Sequence, residues 1–198
     1  MSTLRFPIET AHLILRPFER ADVKAVSRYH ALPTLARYLE RPSRYAGDEA
    51  DAVELMRKQT DLVRPGDVLT LALCRKGDER LIGQVSLRWY DAMARQGEMT
   101  FAIEPTMSGQ GYLTQALSTM FELGFDHFNM HRIVVRSDAR SHNTVKLLQK
   151  LGMRLEAHYR EHALYQGDWD EEMHFALLDR DWRPATKIVQ LPVRGRVA

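Results

Sequence analysis

Residues 101–117 read FAIEPTMSGQGYLTQAL, the end of a strand closed by Pro105, a Gly109-Gln110-Gly111 turn and the start of a helix. Backbone amides at a helix N-terminus have no intrahelical partner, and the helix dipole adds partial positive charge there. The position therefore suits a phosphate, and the two glycines let the backbone approach it closely. Such a turn alone is also explained by tight geometry.

Three phosphate ligands compete for the turn. A P-loop requires Gly-Lys-Ser/Thr, whereas this chain has Gly111-Tyr112-Leu113-Thr114 and no lysine to reach the phosphates. A dinucleotide site is a better fit, since strand, Gly-x-Gly, helix and strand follow in order and Asp138 ends the next strand. Its third glycine, however, is replaced by Thr114, and about a hundred residues precede the motif. The third candidate, coenzyme A, rests on a resemblance to a known family rather than on the turn itself.

Outward from the turn, the pattern alternates strands and helices. HLILRPF (12–18) reads as a strand, and Glu19 to Leu32 as a helix that breaks at Pro33. A loop over Pro42 to Gly47 leads to a helix capped by Asp48 and running to about Val63. VLTLALCRK (68–76) and RLIGQVSLRWYD (80–91) form a hairpin about Gly77-Asp78, and GEMTFAIEP (97–105) supplies the next strand. The helix after the turn has Leu113, Ala116, Leu117, Met120, Phe121, Gly124 and Phe125 on one face. RIVVRSD (132–138) is a buried strand, Asn143 to Leu151 a short helix before Gly152, and strands over about 153–163 and 170–178 follow. The expected architecture is α+β (mixed α/β): a single domain over 1–183 with a C-terminal tail over 184–198. Its sheet is mixed, mostly antiparallel and twisted, with about six to seven strands, one parallel crossover and helices on both faces.

Composition narrows the function. At 198 residues and 44% hydrophobic content, one domain can bury a core, roughly 70% of the surface of its unfolded chain. The single cysteine, Cys74, forms no intramolecular disulfide, which fits a reducing cytoplasm. No membrane span or secretory signal is read, and with 28 basic against 26 acidic residues, a net charge of +2, nothing points to nucleic acid. His127/His131 and His158/His162 have the spacing of metal ligands, but the first pair is interrupted by the start of a strand and the second falls within one, so no metal is expected.

FAIEPTMSGQGYLTQAL resembles the acetyl-CoA motif of the GNAT superfamily of N-acetyltransferases, and the order of elements over about 8–183 is similar to its ribosomal-protein-acetylating (Rim-type) branch. LRPFERAD, LIGQVSL, NTVKLLQKLGM and YQGDWDEEMHFALLDRDW fit the same pattern in the same order. The resemblance implies an acyl-CoA N-acyltransferase fold and transfer of an acetyl group from acetyl-CoA to a primary amine. That amine is a ribosomal or other protein N-terminus, or a small molecule. A homodimer is also implied. The competing reading is a noncatalytic acyl-CoA-binding or partner-binding module that keeps the fold.

Carried onto this chain, the resemblance puts the pantetheine arm in a gap beside the strand, on the backbone of Phe101, Ala102 and Ile103. The pyrophosphate lies on the amides of Gly109, Gln110, Gly111, Tyr112, Leu113 and Thr114. Asn143 touches the coenzyme arm, and Lys146 contacts a phosphate or the leaving thiolate. An amine must lose a proton before it attacks, so a carboxylate near the strand is expected as base: Glu98 first, Glu104 second. The acceptor enters from the opposite face, between Tyr38 to Tyr45 and Leu164 to Trp169, with Tyr38, Trp89 and Tyr165 among the aromatics lining the cleft. This sequence departs from the family pattern in several places. Thr106 stands where Gln or Arg is common, Gln110 where a basic residue is, and Gln115 where glutamate is. Leu148 and Lys146 occupy the positions of the usual proton donor, with Ser141 and Tyr112 as weaker substitutes.

Overall fold

Period-two alternation sorts the strands into two faces, and the computed structural model, which describes residues 4–30, 49–165 and 167–186, shows what covers each. The strands are β1 (Ile8–Glu9), β2 (Leu13–Arg16), β3 (Val68–Arg75), β4 (Leu81–Asp91), β5 (Gln96–Ile103), β6 (Arg132–Asp138), β7 (Arg154–Tyr165) and β8 (Asp168–Leu178). They form one sheet in the order β1-β2-β3-β4-β5-β6-β8-β7. Every neighbouring pair is antiparallel except β5 and β6. The described helices are α1 (Val23–His30), α2 (Glu49–Lys58), α3 (Tyr112–Glu122), α4 (His142–Lys150) and α5 (Asp179–Thr186).

In β3, Leu69, Leu71 and Leu73 point to one side and join Leu13, Leu15, Val85, Leu87 and Met99. Onto them pack Ala116, Leu117, Met120 and Phe121 of α3, and Phe125 of the π turn Leu123–His127 that continues it. Trp182 of α5 closes this layer, its ring 5.2 Å from that of Phe121. The intervening β3 residues Ala72 and Cys74 face the other way, against Phe18, Val26 of α1, and Ala52, Val53 and Met56 of α2. Helices therefore cover both faces, and α3 lies in the crossover that a parallel β5–β6 pair requires.

Cys74 is 1% exposed. Burial pushes its thiol up from the ordinary value, against the opposing attraction of the Arg16 guanidinium. Native protein should therefore resist a maleimide or disulfide reagent, with labelling tracking denaturant-induced unfolding. Rapid stoichiometric labelling of the folded chain would contradict this packing.

Three boundaries differ from the sequence expectation. The sheet has eight strands among the described residues, because the two-residue β1 pairs Ile8 with Leu15 and Glu9 with Ile14. The second helix stops at Lys58 rather than near Val63: Gln59 accepts the Thr70 amide at 2.7 Å and Thr60 bridges to Leu69, so the chain joins the sheet. A last helix, α5, runs through the expected boundary at 183 to Thr186. Asp48, the loop over 42–47 and the break at Pro33 lie outside the described residues.

Candidate active site

The parallel ladder is short. β5 and β6 pair only at Gln96 with Arg132, Gly97 with Ile133 and Glu98 with Val134. β5 then continues to Ile103 and β6 to Asp138 without pairing, which opens a gap between them. On its other side β5 stays paired to β4 throughout, and the ladder extends to the Glu104 amide, which donates to Ile82 O at 2.7 Å. Antiparallel bonding alternates along a strand, so Thr100 and Ala102 turn their backbone groups to β4, while Phe101 and Ile103 turn theirs to the gap. Of the three backbone positions expected to face the gap, Ala102 is thus already engaged. Buried backbone groups need partners, so the gap edge is suited to a hydrogen-bonding ligand.

Gly83 of β4 makes this register possible. A Cβ there would lie 2.3 Å from Ala102 O and 2.9 Å from Ile103 Cα, so no side chain fits between the strands.

The Gly-Gln-Gly turn follows directly. Gly109 and Gly111 have φ of +78° and +81°, the left-handed region that favours glycine. Gly111 is the N-cap of α3 and no side chain caps it. The first helical bond is Gln115 N–H to Gly111 O at 3.2 Å, so the amides of Tyr112, Leu113 and Thr114 have no intrahelical acceptor. They border a cavity of about 340 Å³. Ile103, Gly109, Gly111, Tyr112, Leu113, Thr114, Asn143 and Lys146 all line it, together with Ser108 and Lys150. Gln110 does not, since its side chain turns back to donate to Thr106 O at 3.1 Å. Gln115 ties α3 to the N-terminal strands, accepting from the Thr10 hydroxyl at 2.7 Å and the His12 amide at 3.0 Å. A glutamate would lose the amide nitrogen that meets His12 Nδ1 at 3.0 Å.

The two glutamates differ sharply in surroundings. Both belong to the α1/α2 face of the sheet, opposite α3, and both are buried, at 8% and 5% exposed. Glu98 sits at the last paired position before the gap. Arg136, two residues beyond its partner Val134, reaches back across the divergence to Glu98 Oε1 through Nε at 2.6 Å and Nη2 at 2.5 Å. No other described residue donates to that carboxylate. Glu104 is held on both oxygens: Arg28 of α1 donates twice to Oε1, at 3.0 and 2.8 Å, and Arg80 donates to Oε2 at 2.5 Å.

The remaining expectations divide. Trp89 does not join Glu98: it pairs with Gly97, so it projects from the opposite face and packs against the α3-side core. The period-two pleat puts neighbouring residues on opposite faces, and Arg88 holds the position across from Glu98. Tyr38 lies outside the described residues, as does the side chain of Tyr165, which ends β7. Leu148 is fully buried in the core, and Lys146 is exposed. Of the spaced histidines, His158 pairs with Glu171 at 2.8 Å and His131 with Asp179 at 3.2 Å. No cluster of three metal-ligating side chains occurs among the described residues. No described helix is long and apolar enough to cross a membrane.

Sequence reading missed Arg136, Arg28 and Arg80. The signal for Arg136 was present: it interrupts the apolar alternation of a buried strand, on the same face as Glu98.

A family model described as "Acetyltransferase (GNAT) domain" matches residues 12–154. The chain is 25% identical over 179 residues to the uncharacterized N-acetyltransferase YnaD of Bacillus subtilis (strain 168), covering 88% of this chain and 98% of that protein. Among solved structures, it superposes on the ribosomal-protein-S5-alanine acetyltransferase of Vibrio fischeri with a TM-score of 0.71 at 19% identity, covering 90% and 99% of the two chains. A variant of the spermidine N-acetyltransferase SpeG from Vibrio cholerae gives 0.71 at 19% identity, covering 88% and 98%.

Proposed function

The chain belongs to the GNAT acetyltransferase family, and from that premise we propose that it moves an acetyl group from acetyl-CoA to a primary amine by direct attack in a ternary complex. The observation that carries this reading is the divergence of β5 from β6 immediately before an uncapped helix end. Phe101 and Ile103 offer backbone groups to an extended amide-bearing arm, and the amides of Gly111 to Thr114 offer donors to a diphosphate. Lys146 and Lys150, four residues apart on one helix face, supply positive charge at the same cavity.

The acetyl group then meets the acceptor at the start of the gap, on the Glu98 face. A protein α-amino group has a reference pKa of about 7.7–8.0 and an alkyl amine such as lysine about 10.4, so both arrive largely as ammonium ions near neutrality. Glu98 attracts the ammonium and takes its proton, directly or through water, while Arg136 fixes the carboxylate. The nitrogen lone pair attacks the thioester carbonyl, a backbone N–H facing the gap stabilises the oxyanion, and as the intermediate collapses the thiolate leaves and the nitrogen gives up its second proton to water. Leu148 supplies no proton to it, so Lys146 or solvent takes that part. Glu104, with both oxygens held by arginines, serves in this reading to fix the end of β5 rather than to exchange protons.

Acceptor class follows from the same chemistry. A polyamine such as spermidine and a peptide beginning with alanine both present the required amine, and the two structural neighbours above are named for spermidine and for alanine of ribosomal protein S5. Action in the cytoplasm, which the lone thiol of Cys74 fits, and a homodimer complete the proposal. A noncatalytic module is the weaker reading, because the carboxylate at the gap is buried and fixed by Arg136 where an incoming amine would meet it.

Donor binding can be tested at the turn. Gly111→Ala forces a Cβ into left-handed backbone at about 1–2 kcal/mol, or relaxes the turn that aims the amides. Acetyl-CoA affinity by calorimetry should fall about tenfold, with the thermal transition little changed. Unchanged affinity in the folded variant would remove the turn from the donor site.

A further inference from the structure

The acceptor-side face carries a polar group that the transfer reading leaves unused. In the β6–β8 ladder Arg136 stands opposite His174 and Asp138 opposite Glu172, so His174 and Glu172 share the face of Glu98. His174 Nε2 lies 2.5 Å from Glu172 Oε1. The Tyr159 ring of β7 meets the imidazole edge-on, with centroids 4.8 Å apart. The two side chains are 35% and 26% exposed, so they are held in place and reachable by water. An ionised carboxylate only accepts, so Nε2 carries the hydrogen and Nδ1 is the nitrogen able to accept a proton. Among the described residues, the charged and titratable groups on this face are Glu98 of β5, Arg136 and Asp138 of β6, Tyr159 of β7 with His162 beside it, and Asp170 of β8.

We infer that His174, oriented by Glu172, is a second proton-accepting residue of the acceptor face and carries to solvent the proton that the amine loses. This rests on the transfer reading above. Strands are spaced about 4.8 Å apart, so β5 and β8 stand about 10 Å apart across β6, and Glu98 and His174 flank Arg136. A guanidinium does not release its proton, so the path between the two side chains runs through water and not through Arg136 itself. The ammonium N–H bond breaks and its electron pair stays on nitrogen for the attack. The proton goes to Glu98 and from Glu98 to water, whose own proton reaches Nδ1. The imidazolium keeps its Nε2–H bond to Glu172, then gives a proton to solvent before the next turnover.

The test uses the full chain with acetyl-CoA, spermidine and an alanine-initiated peptide, following kcat against pH. His174→Ala should lower kcat near neutrality about 10²-fold while leaving acetyl-CoA affinity and acceptor KM unchanged, and added imidazole should restore the rate. Glu172→Gln should lower kcat as well, by a smaller factor, because the imidazole loses the carboxylate that orients it. Wild-type kcat and pH profile in His174→Ala would overturn the inference. So would a lowered rate that imidazole does not restore and whose pH profile is unaltered, which is the mark of a structural role. Failure of the transfer reading is distinguishable: the wild-type protein would then acetylate neither amine, and the inference would fall with it.

Discussion

Glu98→Gln should lower kcat about 10²- to 10³-fold while leaving acetyl-CoA affinity close to wild type. Glutamine keeps the volume of the side chain and an oxygen for the Arg136 donors, so the buried site stays filled. What it removes is the negative charge that draws an ammonium to the start of the gap, together with the means of taking its proton. Steady-state rates and calorimetric donor binding on the same preparation separate these effects. Glu104→Gln is the internal comparison. Arg28 and Arg80 would lose a charged partner for which Arg28 reaches 76 positions along the chain and Arg80 24, so the thermal transition should fall while kcat stays near wild type. Equal kcat losses in the two variants would argue that both carboxylates act only by holding the fold.

Gly83→Ala should destabilise the protein by about 3 kcal/mol, at the upper end of the usual penalty for overpacking. The new methyl would meet backbone at Ala102 and Ile103, neither of which can swing aside as a flexible side chain would. Relief requires β4 and β5 to separate at the residues that set the edge of the gap. Donor affinity should therefore fall together with the denaturation midpoint. A variant with wild-type stability and wild-type donor binding would show that the β4–β5 contact is looser than the 2.3 Å approach implies.

The elements that carry the fold were legible because local pattern and tertiary role agree in them. RIVVRSD is β6 residue for residue, and the apolar face from Leu113 to Phe125 is the face that α3 and its π turn bury. The glycine turn was legible too, since Gly109 and Gly111 adopt the left-handed backbone that such residues permit. β1 escaped because two residues show no period, and the early end of α2 because Gln59 and Thr60 are claimed by β3 rather than by any helix-stop residue. α5 escaped because Pro184 reads as a terminator, although the helix runs past it.

At the site, residue types were readable and partners were not. Glu98 and Arg136 are 38 positions apart, and only the brief parallel register places one within reach of the other. Trp89 was assigned to the cleft on its aromatic character alone. One step of pleat in the opposite direction puts it in the core, and that step is fixed by the pairing of Arg88 with Glu98.

The central claim is that the gap between β5 and β6 holds acetyl-CoA and delivers its acetyl group to an amine on the Glu98 face. Mass spectrometry of spermidine and of an alanine-initiated peptide, each incubated with acetyl-CoA and the purified chain, tests it most directly when free thiol is measured in parallel. Acetylated amine appearing in step with released coenzyme, and suppressed in Glu98→Gln, is the expected result. Saturable acetyl-CoA binding with no acetylated amine, and thiol release indifferent to the amine present, would contradict it.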